Sequence, residues 1–381
     1  MKVLILGAGM QGKTIALDLA NRFEVTSADL SEEALSRVKA RNSNIDTIVC
    51  NVTNERELSE LVDRFDIVVN AVPGFLGFKT LETLIQTGKR IVDISYMPEN
   101  SLDLDELAKR HNATVISDCG VAPGYPNLIL GYWNQRTKVN EFRYVVGGLP
   151  KQRSWPFNYK APFSPIDVLE EYTRPVYIRV NNKALTVAPL SGLELFDFDG
   201  VGTLEGFYTD GLRSLNHTIK NIPTMYEKTL RYPGHAEYIQ VLKSSGFFSN
   251  TPISVKGTSI VPMEFTSKIL IDVWKFKDQE PDICVLRVEL DCEKNGENVT
   301  LRYDMYDEYC NQTDCSSMSR TTGYHACAAV NLLADGLWNE KGVFPPELIG
   351  VNEECYNYIL DYVAGRKVLF HKSEIRQETR N

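Results

Sequence analysis

The chain has 381 residues, of which 43% are hydrophobic and 24% are charged, and its formal net charge is −9. These proportions are ordinary for a globular protein of two domains. The acidic balance argues against nucleic acid or an anionic membrane surface as a partner, and no apolar run approaches the length of a membrane span.

The eight cysteines form no Cys-x-x-Cys pair and lack the spacing of a zinc finger. The N-terminal residues do not follow the layout of a secretion signal. We therefore expect reduced thiols, no bound metal and a cytoplasmic location.

The first segments are a strand at residues 3–6, a glycine turn at 7–12 with the sequence GAGMQG, and a helix at 11–21. Gly7 permits the tight turn, Gly9 lets the backbone approach a pyrophosphate, and Gly12 lets the helix pack against the strand. An acidic residue, Asp29, follows Gly12 by 17 positions, where it meets the ribose hydroxyls of a dinucleotide. The pattern predicts a dinucleotide-binding unit.

Asp29 also indicates which dinucleotide is bound. A carboxylate hydrogen-bonds a ribose diol and repels a 2′-phosphate, which favours NAD over NADP. Ser27 and Arg37 are near in sequence, and they leave residual use of NADP open.

Residues 1–125 alternate short apolar runs with helical patterns, which is typical of a doubly wound parallel sheet of the Rossmann type. The predicted strands are 3–6, 24–28, 46–49, 67–70, 90–93 and 114–117, and the predicted helices are 11–21, 31–42, 54–64, 76–87 and 102–111. Ligands bind beyond the carboxyl ends of such strands. The predicted cofactor contacts are Gly7, Gly9, Met10, Gln11, Gly12, Asp29, Asn51, Val52, Asn70, Ala71, Val72, Pro73 and Asp93.

Residues 126–317 are predicted to form an α+β domain with a large mixed sheet for substrate binding and dimerisation. Its predicted strands are 142–148, 176–180, 183–187, 265–276, 283–293 and 298–306, and its predicted helices are 210–215 and 236–244. Residues 318–365 contain a helix at 321–338 that returns to the first domain, and 366–381 form a charged, frayed tail. Because such a sheet offers an extensive apolar face, we expect a homodimer.

Several polar side chains are candidates for the chemistry. Tyr96 and Asp118 follow the fifth and sixth strands and can face the cofactor. Arg231 and Arg320 each stand beside hydroxyls and a glycine, which suits either carboxylate binding or a surface ion pair. His235 is either a general acid or base or a structural histidine.

The whole chain resembles saccharopine dehydrogenase-like proteins, and among them the lysine 6-dehydrogenases. The motifs that carry the resemblance are GAGMQG (7–12), DISYMPE (93–99), LDELA (104–108), DCGVAPGYPN (118–127), VGGLP (146–150), YTDGLRSL (208–215), KTLRYPGH (228–235) and MSRTTG (318–323).

The resemblance implies NAD-dependent oxidative deamination of the ε-amine of L-lysine, which gives 2-aminoadipate 6-semialdehyde and ammonia, after which the aldehyde cyclises. The amine must lose a proton, and the candidate acceptors are Asp118, His235 and Tyr96. The substrate carboxylate suits Arg231 and Arg320. Asp210 or a threonine hydroxyl, for which we name Thr322, suits the α-ammonium.

Two other functions stay open. A saccharopine-type enzyme joins or splits an amine and a dicarboxylic acid and needs a second anion site, for which the nearest cations in sequence are Lys151, Arg153 and Lys160. A regulator that senses NAD would keep the glycine turn but would not need polar groups facing the nicotinamide.

Overall fold

The computed structural model describes residues 1–162, 165–277 and 279–376. The helices are α1 (Met10–Leu19), α2 (Glu32–Arg41), α3 (Glu55–Val62), α4 (Gly74–Gln86), α5 (Asp105–Arg110), α6 (Tyr125–Asn134), α7 (Pro165–Glu171), α8 (Leu215–Thr218), α9 (His235–Ser244), α10 (Pro262–Trp274), α11 (Ser317–Ala334), α12 (Pro346–Ile349) and α13 (Glu353–Ala364).

The strands are β1 (Lys2–Leu6), β2 (Glu24–Asp29), β3 (Asp46–Val49), β4 (Ile67–Asn70), β5 (Arg90–Asp93), β6 (Thr114–Ile116), β7 (Lys138–Pro150), β8 (Val176–Val180), β9 (Lys183–Val187), β10 (Glu194–Phe198), β11 (Gly202–Tyr208), β12 (Thr224–Arg231), β13 (Ile253–Val255), β14 (Thr258–Ile260), β15 (Asp282–Lys294), β16 (Glu297–Glu308), β17 (Gly342–Phe344) and β18 (Phe370–Arg376).

The first sheet is parallel, and its strand order is β17-β6-β5-β4-β1-β2-β3. β1, β4 and β6 are short and almost entirely buried, because helices cover both faces of a doubly wound sheet. The order β3-β2-β1-β4-β5-β6 is that of a dinucleotide-binding domain. The expected Rossmann class is therefore confirmed, with one addition: β17, from late in the chain, pairs with β6.

The second sheet is mixed and runs β10-β11-β12-β7-β15-β16-β18, with β8 paired to β12 and β9 to β8. The pair β7–β12 is parallel and its neighbours on that path are antiparallel. The expected large mixed sheet is thus confirmed. One face packs towards the first domain, with α11 between the two sheets and almost entirely buried.

The other face of the second sheet differs from the expectation of an apolar dimer surface. Along β7, β15 and β16 it carries ion pairs, including Arg143 with Glu289 at 2.9 Å and Arg287 with Asp304 at 2.6 Å. Side chains alternate along a strand, so Leu286 and Val288 of β15 point to the inner face. Ile283 and Val285 point to the outer face, where they are already buried in a cluster that includes Trp274 of α10. The apolar-face argument for a homodimer therefore does not hold over this region.

Three sequence predictions in the second half were wrong. Residues 265–274 of the predicted strand 265–276 lie in α10, whose buried residues Thr266, Leu270 and Trp274 recur every four positions, a helical period. The predicted helix 210–215 is mostly a loop, in which Arg213 has a φ of 49°, and the helix α8 begins only at Leu215.

The third wrong prediction concerns the charged tail. Residues 370–376 form β18 and pair with β16, and residues 377–381 lie outside the described residues. All eight cysteines are free thiols. Within the part of the chain described here, the helices lack the length and apolar character needed to cross a membrane.

Candidate active site

The turn between β1 and α1 has the backbone that a dinucleotide phosphate requires. Gly7 has a φ of 104°, and a Cβ there would lie 2.5 Å from the Ala71 carbonyl oxygen. A Cβ on Gly12 would lie 1.9 Å from the Gly7 carbonyl oxygen, whereas a Cβ on Gly9 would meet no atom within 4 Å. Gly9 therefore faces open space at the start of α1, where the helix N-terminus favours an anion.

The acidic residue at the end of β2 is held in a fixed position. Asp29 Oδ2 accepts a hydrogen bond from the Ala8 N–H at 2.6 Å, and Oδ1 accepts one from the Ser31 N–H at 2.8 Å. Beside the turn, the buried Gln11 Oε1 has no hydrogen-bond partner among the described residues. These groups fit the phosphates and a ribose diol of a dinucleotide.

One cavity of about 380 Å³ extends from this turn to the second sheet. We call it the main cavity. The predicted site residues that line it are Gly7, Gly9, Met10, Gln11, Gly12, Asp29, Ala71, Val72, Pro73, Tyr96, Asp118, Arg231 and Thr322. The structure thus brings together most of the expected cofactor contacts, two candidate proton acceptors and one arginine.

Asn70 and Asp93 lie behind the wall of the main cavity. Asn70 Nδ2 donates to Asp93 Oδ2 at 2.6 Å, and the Ser95 N–H and hydroxyl also donate to the Asp93 carboxyl. Burial raises the pKa of Asp93 to about 7, against the opposing effect of these bonds. The pair supports the turns that carry the lining residues rather than lining the cavity itself.

Two other predicted cofactor contacts lie away from the main cavity. Asn51 is exposed, and its Oδ1 accepts from the Thr53 N–H at 3.1 Å, so its side chain stabilises the turn before α3. Val52 lies next to it and is half-buried.

Arg320 is not at the main cavity either. Its Nε lies 2.9 Å from Asp307 Oδ2 and its Nη2 donates to the Arg366 carbonyl at 3.0 Å. With side chains only 7% and 5% exposed, Arg320 and Asp307 form an internal pair between α11 and β16. The expected carboxylate contact at Arg320 is therefore replaced by a structural one.

His235 is buried behind the cavity wall. Its Nε2 lies 2.9 Å from the Tyr172 hydroxyl and its Nδ1 lies 3.0 Å from the Phe157 carbonyl oxygen. Burial, with Arg231 nearby, lowers the pKa of His235 to about 3. The imidazole is therefore neutral near physiological pH, and its contacts position Tyr172 rather than face a substrate.

Asp118 is a buried carboxyl group that lines the main cavity. It stands beyond the end of β6 with a φ of 54° and is 9% exposed. Burial raises its pKa, although Arg213 and a hydrogen bond from Ser214 oppose that shift. A raised pKa makes a carboxylate a stronger proton acceptor.

Tyr96 is a hydrogen-bond donor rather than a base. Its hydroxyl donates to the Asp210 carbonyl at 3.0 Å, and burial raises its pKa well above the ordinary value. The guanidinium groups of Arg174 and Arg213 lie 4.8 and 5.2 Å from its ring centre. Two cations thus lie within cation–π distance of the ring.

Arg231 projects from β12 and is engaged on three sides. Its Nη2 donates to Glu171 at 2.6 Å, its Nη1 to the Leu230 carbonyl at 3.0 Å and its Nε to the Tyr172 hydroxyl at 3.3 Å. A guanidinium has five N–H donors, so two remain for a ligand.

Sequence reasoning missed several lining residues. Glu227 and Thr229 precede Arg231 at intervals of two on β12, and all three line the main cavity with Thr209 and Glu171. The signal was present, because alternate residues of a strand share a face. The strand itself had not been predicted, so the alternation was not applied.

Beyond the glycine turn and Asp29, the lining of the main cavity is rich in acids. The carboxyl groups there belong to Asp118, Asp167, Glu171 and Glu227. Against these four, Arg231 is the only cation among the described residues that line the cavity. Such a lining favours a cationic ligand.

A second cavity of about 440 Å³ lies on the other side of Asp118. It is lined by Asp210, Arg179 and Arg213, and Asp118 lines both cavities. Asp210 Oδ2 lies 3.6 Å from Arg213 Nη1, so the expected ammonium contact at Asp210 falls outside the main cavity.

The parallel sheet, the glycine turn and the fixed acid at β2 define a protein that binds a nicotinamide dinucleotide. Family comparison gives the same result: residues 3–116 match the saccharopine dehydrogenase NADP binding domain, and residues 120–368 match the saccharopine dehydrogenase C-terminal domain. The chain belongs to the saccharopine dehydrogenase family. The resemblance seen in the sequence motifs is confirmed at the level of the family.

Individual relatives are distant. The mitochondrial alpha-aminoadipic semialdehyde synthase of Rattus norvegicus is 22% identical over 97% of this chain, which spans 47% of that protein. The saccharopine dehydrogenase [NADP(+), L-glutamate-forming] of Saccharomyces cerevisiae is 20% identical, covering 94% of this chain and 96% of the relative. The apo structure of the L-Glu-forming saccharopine dehydrogenase from that yeast has a TM-score of 0.80 at 19% identity, with 98% and 99% of the two chains covered.

Proposed function

We propose that this protein is an oxidoreductase that uses a nicotinamide dinucleotide to oxidise a carbon bearing a basic nitrogen in lysine or a lysine-derived amino acid. One observation carries the proposal: the main cavity joins the glycine turn to a wall of four carboxyl groups that includes the buried Asp118. The names of the relatives, which include saccharopine dehydrogenase and aminoadipic semialdehyde synthase, support a substrate related to lysine.

Our first candidate reaction is oxidative deamination of L-lysine at its ε-amine. The bound dinucleotide supplies an acceptor for the hydride that leaves the amine-bearing carbon. Asp118 accepts the proton of the amine, because a protonated nitrogen has no lone pair to form the C=N bond. Water then adds to that bond, which yields the aldehyde and releases ammonia.

Two further side chains orient the substrate. Tyr96 keeps its proton and holds its ring against the cavity, while the two unengaged N–H groups of Arg231 donate to the substrate carboxylate. Thr322, from α11, adds a hydroxyl to the same wall. We do not assign His235, Arg320 or Asp210 to this step, because they do not line the main cavity.

For the cofactor we propose NAD. Both oxygens of Asp29 are anchored by backbone N–H groups, so the carboxylate cannot swing away from a 2′-phosphate without breaking them. This fixed negative charge supports NAD, although the matching family model is named for NADP.

A saccharopine-type reaction is the second candidate, and a specific observation favours it. That reaction needs a second anion site, and Arg179 and Arg213 line the second cavity next to Asp118. The cations expected from sequence do not serve, because Lys151 pairs with Glu308, Lys160 pairs with Glu280 and Arg153 lies over Tyr232.

The test is formation of the reduced cofactor, followed by its absorbance, with NAD or NADP and with L-lysine, L-saccharopine, L-ornithine or L-arginine at mildly alkaline pH. A rate with lysine and NAD, with release of ammonia, supports the first candidate. A rate with saccharopine alone supports the second. Binding of the cofactor without a rate on any of the four amines would instead favour an NAD-sensing regulator.

We retain the homodimer as a prediction about the assembly. Light scattering after size-exclusion chromatography measures it directly, and a mass of one chain would remove it.

A further inference from the structure

Glu227 is the carboxyl group of the main cavity whose role the proposed reaction leaves open. It lies on β12, is 1% exposed and lines the cavity. The Thr209 hydroxyl lies 2.9 Å from its Oε1 and 2.7 Å from its Oε2, and the Thr229 hydroxyl donates to Oε1 at 3.3 Å. These partners are neutral, and no lysine, arginine or histidine in the described part of the chain forms an ion pair with Glu227.

The neighbouring acids differ in this respect. Glu171 pairs with Arg231 at 2.6 Å, and Asp118 is near Arg213. A carboxylate has about four lone-pair sites, so the bonds from the two threonines leave acceptor sites free. Glu227 is therefore a buried carboxyl group at the cavity that forms no ion pair within the described chain, and burial raises its pKa well above the ordinary value.

The backbone makes room for this carboxyl group. A Cβ on Gly211 would lie 2.6 Å from Glu227 Cδ, so only glycine leaves the carboxyl group its position there. Tyr144, on the neighbouring strand β7, donates its hydroxyl to the Gly211 carbonyl at 2.7 Å and fixes that loop. The hydrogen bonds from Thr209 and Thr229 and the close approach of Gly211 together define the position of the carboxyl group.

We propose that Glu227 is a specificity-determining residue that binds a second cationic group of the substrate, the α-ammonium when the ε-amine is oxidised. The inference rests on the proposed function for the identity of the reacting amine. It restricts the substrate class to molecules with two basic nitrogens, one beside Asp118 and one beside Glu227. A cationic group beside Glu227 stabilises its ionised form, whereas an amine with only one basic nitrogen leaves the carboxyl group protonated and makes no ionic contact with it.

The test compares two ligands that differ in the α-amine. Calorimetric titration of the NADH-loaded protein, in which no oxidation proceeds, measures the affinity for L-lysine and for 6-aminohexanoate. We expect the native protein to bind L-lysine at least about tenfold more tightly, and Glu227→Gln to remove that difference by weakening lysine alone. Glu227→Asp, which keeps the charge, restores part of the difference.

The control variant is Glu194→Gln, an exposed glutamate that pairs with Lys228 outside the main cavity, and it keeps the native preference. Thermal unfolding of each variant establishes that it is folded. Three outcomes would each overturn the inference. Glu227→Gln could weaken the affinity for both ligands equally or for neither, or the native protein could bind the two ligands with equal affinity.

Failure of the two proposals is distinguishable. Selective lysine binding without formation of reduced cofactor would contradict the proposed oxidation but not the role of Glu227. Turnover of lysine and of 6-aminohexanoate with equal kcat/KM would support the proposed oxidation and contradict the role of Glu227.

Discussion

Arg231 Nη2 lies 2.6 Å from Glu171 Oε2, and the two side chains are only 3% and 13% exposed. The pair joins β12 to α7 at the wall of the main cavity. Because the arginine also bonds Tyr172, which in turn contacts His235, the pair is the outer end of a buried polar chain. Glu171 therefore supplies the counter-charge for a buried guanidinium group.

Glu171→Gln is expected to lower the free energy of unfolding by about 3–5 kcal/mol, since it leaves a buried guanidinium without its counter-charge. Glu308→Gln, which breaks the half-exposed pair with Lys151, is the matched control and is expected to cost about 1 kcal/mol or less. Chemical denaturation of both variants makes the comparison. Equal losses would mean that the Arg231–Glu171 pair is not buried in solution.

The glycine turn offers two alanine substitutions with opposite expectations. Gly12→Ala places a Cβ 1.9 Å from the Gly7 carbonyl oxygen and must shift α1, whereas Gly9→Ala meets no atom within 4 Å. We expect Gly12→Ala to lower the melting temperature, and Gly9→Ala to fold normally but to weaken cofactor binding by obstructing the pyrophosphate. Thermal unfolding and NADH fluorescence titration separate the two effects. Normal NADH affinity in Gly9→Ala would place the phosphates elsewhere.

Asp118→Asn is expected to reduce kcat/KM by about 10²–10⁴-fold, because the amide cannot accept the amine proton. In the native protein the rate rises with pH as Asp118 loses its proton, at a pKa above the usual aspartate range. In Asp118→Asn this rise of the rate on the acidic side of the pH profile is expected to disappear. The pH profile of kcat/KM tests this, with unchanged NADH affinity as the control for folding, and a surviving rise would assign the proton to another group.

Asp93 predicts a pH dependence of stability. Its folded pKa of about 7 lies above the unfolded value, so the folded state binds more protons between the two. The free energy of unfolding therefore falls as pH rises through that window, by up to roughly 4 kcal/mol. Asp93→Asn removes this dependence of the free energy of unfolding on pH. The new side-chain amide keeps a hydrogen-bond partner, because the Asn70 amide can flip and present its unpartnered Oδ1 as the acceptor.

Denaturant titrations of Asp93→Asn and the native protein between about pH 5 and pH 8 measure the effect. The stability of the variant relative to the native protein should increase with pH. A constant difference would show that Asp93 is ionised throughout.

The first domain could be predicted from sequence because its signals are local. The glycine turn, the strand–helix alternation and Asp29 all lie within a short stretch, and their physical roles depend on backbone geometry. The second domain was harder to predict, because a short apolar stretch fits both the two-residue period of a strand and the 3.6-residue period of a helix. Residues 265–276 illustrate this: their burial every fourth residue is visible only once α10 is packed.

The choice between Arg231 and Arg320 shows why site residues resist prediction. Both stand beside hydroxyls and a glycine, so the local pattern is the same. What separates them is a partner outside the local motif, since Asp307 on β16, 13 positions before Arg320, holds that side chain in an internal ion pair away from the cavity. Glu227 and Thr229 were within reach of the alternation rule once β12 was recognised, because they share the face of Arg231.

The pairing of β17 with β6 has a consequence for how the protein is made. Residues 342–344 complete the edge of a sheet whose neighbouring strand is residues 114–116, more than two hundred positions earlier in the chain. A chain emerging from the ribosome therefore carries an open β6 edge through most of its synthesis. An open edge is a template for pairing with other chains. Fragments that stop before residue 342 should consequently aggregate, and α11, which supplies Thr322 to the cavity, ties assembly of the site to the same late stretch.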